Sequence, residues 1–145
     1  MRLDAQDLPS AEDFFDAVIA IDCFLYYGAD DRSLSSLVPL IRSGGFLGIV
    51  DIAFAREIES IDDAPDYLRG QYAENWTHVH SIDWWRRHWE KPALVNVECA
   101  EPLPESRALL RDYVAGRGRR GPIMQAAPHD RDGLLTLFRF VARKR

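Results

Sequence analysis

The chain lacks a run of roughly 18 apolar residues, the minimum for a membrane-spanning helix. Its opening, MRLDAQDLPSAEDFF, has no apolar stretch of signal-peptide length either. Cysteine is scarce. Cys23 and Cys99 are the only two, too few for a disulfide framework, so a reducing cytoplasm is the expected compartment. Basic residues are in deficit: the formal net charge is −5, which argues against nucleic acid as the main partner. The basic runs are confined to Arg117 to Arg120 and to the tail Arg143-Lys144-Arg145. Internal repeats are missing. With 47% hydrophobic and 28% charged residues, disorder and collagen-like structure are excluded. The 145 residues predict a single domain spanning 1–145, long enough to bury roughly 68–70% of its extended surface.

What is present reads as alternating strands and helices. Phe15 to Ile21, FDAVIAI, is a short β-branched run without alternation, which predicts a parallel strand buried on both faces. Leu34, Leu37, Val38 and Ile41 follow at helical spacing behind Ser33, a candidate N-cap. Pro39 should kink that helix and Gly44-Gly45 should stop it. A second two-sided apolar strand is expected at Phe46 to Phe54. Strand, helix and strand within about 40 residues make a right-handed βαβ unit with a parallel sheet. Residues 55–80 hold no single period and predict short helices. Ser81 caps a helix in which Ile82, Trp85 and Trp89 share one face, and Pro92 closes it. Leu94 to Cys99 alternates like a half-exposed strand, and residues 105–115 predict a short helix with Leu109, Leu110, Tyr113 and Val114 on one side. Residues 116–133 read as a loop, and 134–142 as the last strand.

The order of four pieces resembles the second half of a class I S-adenosylmethionine-dependent methyltransferase. Asp4-Ala5-Gln6-Asp7-Leu8-Pro9 is like the family's DA-x-x-LP loop. Phe15-Asp16-Ala17-Val18 is like its FDxV entry to strand four, Gly44-Gly45 like the turn into strand five, and 94–99 with 134–142 like the closing antiparallel hairpin. The resemblance implies an α/β, Rossmann-like methyltransferase sandwich, incomplete, with a mostly parallel sheet in the order 4-5-7-6 and an antiparallel last strand. No glycine-rich cofactor loop is visible: GRGRRG at Gly116 to Gly121 follows no strand. The first three strands are therefore expected to be missing, as in a fragment, a split-enzyme half or a pseudoenzyme. S-adenosylmethionine is the implied cofactor, bound weakly by this chain alone. A small-molecule methyl acceptor is the implied substrate.

The same resemblance marks the candidate residues. Asp4 and Ala5 would meet the adenine, since a carboxylate suits an exocyclic amine. Asp22 and Cys23, at the end of the strand 15–21, would lie beside the methionine portion, where open α/β sheets bind ligands. Tyr26, Tyr27, Trp76 and Trp84 are candidates for walls of a water-poor acceptor pocket, with core packing as the alternative for each. His80 is the candidate general base, its alternative being a loop histidine bonded to backbone. His78-x-His80 lacks a third ligand at metal-site spacing. The rival function is a non-catalytic remnant or interaction module. A small hydrolase would need a G-x-S-x-G elbow that is not there. The strand 15–21 would lack a neighbour on one side, so a homodimer, or a missing N-terminal half, is expected to pair with that edge.

Overall fold

The structure is a computed structural model describing residues 8, 10–30, 32–70, 74, 76–117 and 121–145. Asp4 and Ala5 lie outside the described residues. Strands β1 (Phe15–Ile21), β2 (Ile41–Phe54), β3 (Val95–Pro102) and β4 (Leu135–Lys144) form one sheet in the order β1-β2-β4-β3. β1 and β2 are parallel, and β4 runs antiparallel to both β2 and β3. The expected order is borne out, with a single reversed strand between β2 and β3.

Helix α1 (Leu25–Gly28), α2 (Ser33–Leu37) and a 3-10 turn at Val38–Leu40 connect β1 to β2. Two local expectations fail here. The helix begins at Ser33 rather than being capped by it, because the Ser33 hydroxyl donates to the Tyr27 carbonyl instead. Pro39, not the glycine pair, ends the helical run, since its ring suits the start of a 3-10 turn and cannot continue a helix. β2 therefore starts at Ile41, and Gly44-Gly45 lie inside it. Phe15 pairs with Ile41 and Ala17 with Phe46, so β2 bulges where the glycines sit. Gly44 has φ +73°, and a Cβ on Gly45 would lie 2.7 Å from the Asp16 carbonyl oxygen. Glycine is what lets the two strands approach there.

The core packs on both faces of the sheet. Helix α3 (Asp66–Arg69) and α4 (Ile82–Glu90) follow β2. The Ser81 side chain accepts from the Trp84 N–H at 3.2 Å, a true N-cap. Trp85 stacks on Phe138 and Trp89 meets Phe140 edge-on at 4.2 Å, with Phe24 wedged against both indoles. The other face is covered by α5 (Ser106–Arg117) and α6 (Pro122–Ala126), inserted between β3 and β4. In α5 Leu110 is buried while Leu109 points outward, so the expected four-residue apolar side is narrower.

β1 departs most from expectation. Ile19 and Ile21 are 73% and 66% exposed. A run that is apolar on both faces predicts two covers, but only the side of Ala20 is packed among the described residues. Among the described residues β1 is also an edge strand, hydrogen-bonded to β2 alone.

Candidate functional site

The carboxyl ends of β1 and β2 are tied together by Asp51, a buried acid inside an apolar strand. One Asp51 carboxylate oxygen accepts from the Phe24 and Leu25 N–H groups at 2.9 and 3.3 Å, and the other from Ile52 N–H at 2.8 Å. Burial raises its pKa, those backbone donors pull it back, and the Asp22 charge adds to the rise. The chain leaves β1 through Asp22, whose φ of +55° is in the left-handed region and whose N–H still donates to the Val50 carbonyl at 2.9 Å. Non-glycine residues held there store strain that the surroundings must hold in place. The Tyr113 hydroxyl, from α5, donates to Asp22 Oδ2 at 3.0 Å. Ile21, Asp22, Val50, Ile52, Leu110 and Tyr113 are among the residues that line a cavity of about 470 Å³, and among the described residues no cationic side chain lines it.

Cys23 is half-buried beside Tyr27. Burial first, then Cys23 and Asp51, push the Tyr27 hydroxyl up to about 12. At neutral pH Tyr27 thus keeps its proton and acts as a donor. Tyr26 is 81% exposed and its ring lies 6.2 Å from that of His78. Burial, then the neighbouring His80, lower the His78 pKa.

A second cluster begins where β2 ends. The Phe54 N–H donates to the His80 carbonyl at 3.1 Å, which anchors the segment before α4 to the sheet. His80 Nδ1 lies 2.8 Å from Glu57 Oε1, and Glu57 Oε2 accepts from the Ser81 N–H at 2.8 Å. Burial would raise the Glu57 pKa, but the hydrogen bonds from Ser81 and His80 and the His80 charge outweigh it and hold the carboxyl below its usual range. The His80 ring stacks on Trp84 at 3.7 Å and 10°, and Trp84 stacks on His88 at 4.5 Å. Trp84, Arg87, His88 and Lys91 of the α4 region face Ala29 and Asp30 across an open cleft of about 580 Å³.

The sequence-marked residues thus separate into groups. Asp22, Cys23 and Tyr27 come together around Asp51, and His80 meets Trp84. Tyr26 stands at the solvent rim. Trp76 is 1% exposed and stacks on Phe54, so it is part of the core. Among the described residues no group of three His, Cys, Asp or Glu is placed to hold a metal ion. Sequence reasoning missed Asp51, Glu57 and Tyr113. Asp51 had a signal, a lone acid within FLGIVDIAF that must find partners if buried. Glu57 and Tyr113 had none, being 23 and 91 residues from His80 and Asp22. Asp51→Asn is expected to lower stability by about 1–3 kcal/mol in urea unfolding, because the amide NH₂ would face a backbone donor and leave it unpaired. An unchanged midpoint would mean the loop is held by other contacts.

The sequence matches no protein-family model and no curated protein. Solved structures do match. Geranyl diphosphate methyltransferase in complex with S-adenosylmethionine superposes with a TM-score of 0.70 at 15% identity, over 99% of this chain and 56% of that one. Geranyl diphosphate C-methyltransferase from Streptomyces coelicolor A3(2) gives 0.70 at 13%, over 99% and 52%. The fold is that of a class I methyltransferase. The chain spans about half the length of these proteins. The same methyltransferase fold in the cyclase SpnF matches at 0.68 and 16%, over 98% of this chain and 54% of that one. A shared methyltransferase fold does not by itself decide the reaction; the site must.

Proposed function

We propose that the chain supplies the acceptor-side half of an S-adenosylmethionine-dependent methyltransferase for a small-molecule acceptor. The observation that carries this reading is that two side-chain clusters follow the carboxyl ends of the parallel strands β1 and β2. One is the acid-lined cavity at Asp22; the other is the Glu57, His80 and Trp84 cluster. The cationic sulfonium of that cofactor suits a cavity that carries carboxylates and, among the described residues, no cation. When bound, the cofactor supplies an electrophilic methyl carbon. Asp22 and Cys23 would hold its methionine portion, and Asp4 and Ala5 its adenine. Tyr26, Tyr27 and Trp84 would wall the acceptor, and His80 would take its proton. The remainder of the fold would come across the β1 edge from an N-terminal half, or that edge would pair with a second copy. The free thiols of Cys23 and Cys99 suit a reducing cytoplasm.

The non-catalytic reading draws on a different observation. The Asp22 carboxylate is already engaged by Tyr113, and the exposed β1 edge favours a partner over a ligand. Calorimetry separates the two readings in part. The isolated chain is expected to bind S-adenosylmethionine with a dissociation constant well above the low micromolar range, because no backbone-amide cradle for the methionine end stands among the described residues. Low-micromolar binding would overturn that expectation. Transfer of labelled methyl to a panel of hydroxyl, amine and thiol compounds, by the chain together with its partner half, tests the function itself. No transfer to any of them would leave the interaction module as the better account.

A further inference from the structure

We propose that Glu57 is a positioning residue that locks His80 in the Nδ1–H tautomer, so that Nε2 accepts a proton from an acceptor whose methylated atom carries one, such as a hydroxyl oxygen. The inference rests on the methyl-transfer reading above and names its substrate class. Glu57 is fixed at both oxygens, Oε1 on His80 and Oε2 on the backbone N–H of Ser81. Ser81 in turn caps α4, so the carboxylate is braced against the start of a helix packed into the core. An ionised carboxylate only accepts hydrogen bonds. The proton between the pair therefore sits on Nδ1, and in the neutral ring the lone pair is on Nε2. Stacking on Trp84 at 3.7 Å and 10° fixes the plane in which that lone pair points. The His80 and Glu57 side chains are 21% and 23% exposed, sheltered yet reachable.

This arrangement suits nucleophiles that carry a proton. A thioether or a tertiary amine offers its lone pair with no proton to lose. A hydroxyl must shed its proton as the new bond forms. Here the O–H proton passes to His80 Nε2, and the oxygen electron pair forms the bond to the methyl carbon. The carbon–sulfur bond of the sulfonium donor breaks with its electrons remaining on sulfur. The resulting imidazolium is stabilised by Glu57 and returns its proton to water.

The tautomer can be read without any turnover. In a long-range proton–nitrogen correlation spectrum of the nitrogen-15-labelled chain, His80 is expected as Nδ1–H. Glu57→Gln should abolish that preference, because an amide can donate to Nδ1 as well as accept from it. Glu57→Asp, which keeps an acceptor-only group, should restore it at least in part and guards against simple misfolding. An Nε2–H tautomer in the native chain, or no change in Glu57→Gln, would overturn the dyad. In the transfer assay with hydroxyl acceptors, His80→Gln and Glu57→Gln should each lower kcat by about 10²-fold or more, with KM nearly constant. Unchanged kcat, or transfer confined to thioethers and tertiary amines, would overturn the base role and the substrate class. Transfer to no acceptor at all would sink the methyl-transfer reading and this substrate class together, while the spectrum would still decide the dyad.

Discussion

Trp89→Ala is expected to destabilise the protein by about 3–5 kcal/mol, a large part of the 5–15 kcal/mol typical of a whole domain. The Trp89 indole is 1% exposed and touches Phe140 at 4.2 Å and Phe24 at 5.2 Å between ring centres. Truncation would open a cavity between α4 and the sheet, where the interior is close-packed and relaxes only in part. Trp89→Phe should cost much less. The indole N–H is buried without a hydrogen-bond acceptor, so phenylalanine removes an unpaired donor while keeping most of the aromatic contact. Urea unfolding of the two variants is the check. Equal losses would show that the donor has a partner in solution. A loss under about 1 kcal/mol for alanine would show that α4 is not clamped by this residue.

The second large effect concerns association. The chain is expected to self-associate at micromolar concentration, with light scattering reporting twice the 16.6 kDa chain mass or more. Ile19→Lys with Ile21→Lys should return it to a monomer. Among the described residues β1 has one open row of backbone donors and acceptors, and Phe14, Ile19 and Ile21 stand at least 66% exposed beside it. Proteins blunt such edges with lysine, proline or short strands. Between Phe15 and Ile21 the one charged residue is Asp16, and it is paired to Arg42 at 2.5 Å. Two lysines would place uncompensated charge on the apolar face and would have to be desolvated in any two-fold pairing. A cooperative, concentration-independent monomer in the native chain would defeat this prediction. Persistence of the dimer in the double variant would move the interface elsewhere.

Much of the architecture was legible in the chain. The apolar runs at β1 and β2, the alternating β3, the stripe of Trp85 and Trp89 and the Ser81 cap are all local patterns. Local patterns report which way side chains face and where a helix begins. With the resemblance to the second half of a methyltransferase they yielded the strand order and the reversed β4. The early start of β2 was not legible. Gly44-Gly45 read as a helix stop until pairing with β1 turned them into a bulge. Nor was the exposure of Ile19 and Ile21, because a sequence shows that a face is apolar but not whether anything covers it. The site divides in the same way. The sequence by itself determined that Asp22, Cys23 and Tyr27 would cluster after β1, and that His80 would precede a tryptophan-rich helix. Only the tertiary structure decided that Asp51 would tie that cluster to β2, that Trp76 would be core, and that Glu57 would meet His80. Those pairings span 23 to 27 residues through a folded sheet, and no periodicity encodes them. They arise because a buried carboxylate must find donors, and only the assembled fold determines which donors are within reach.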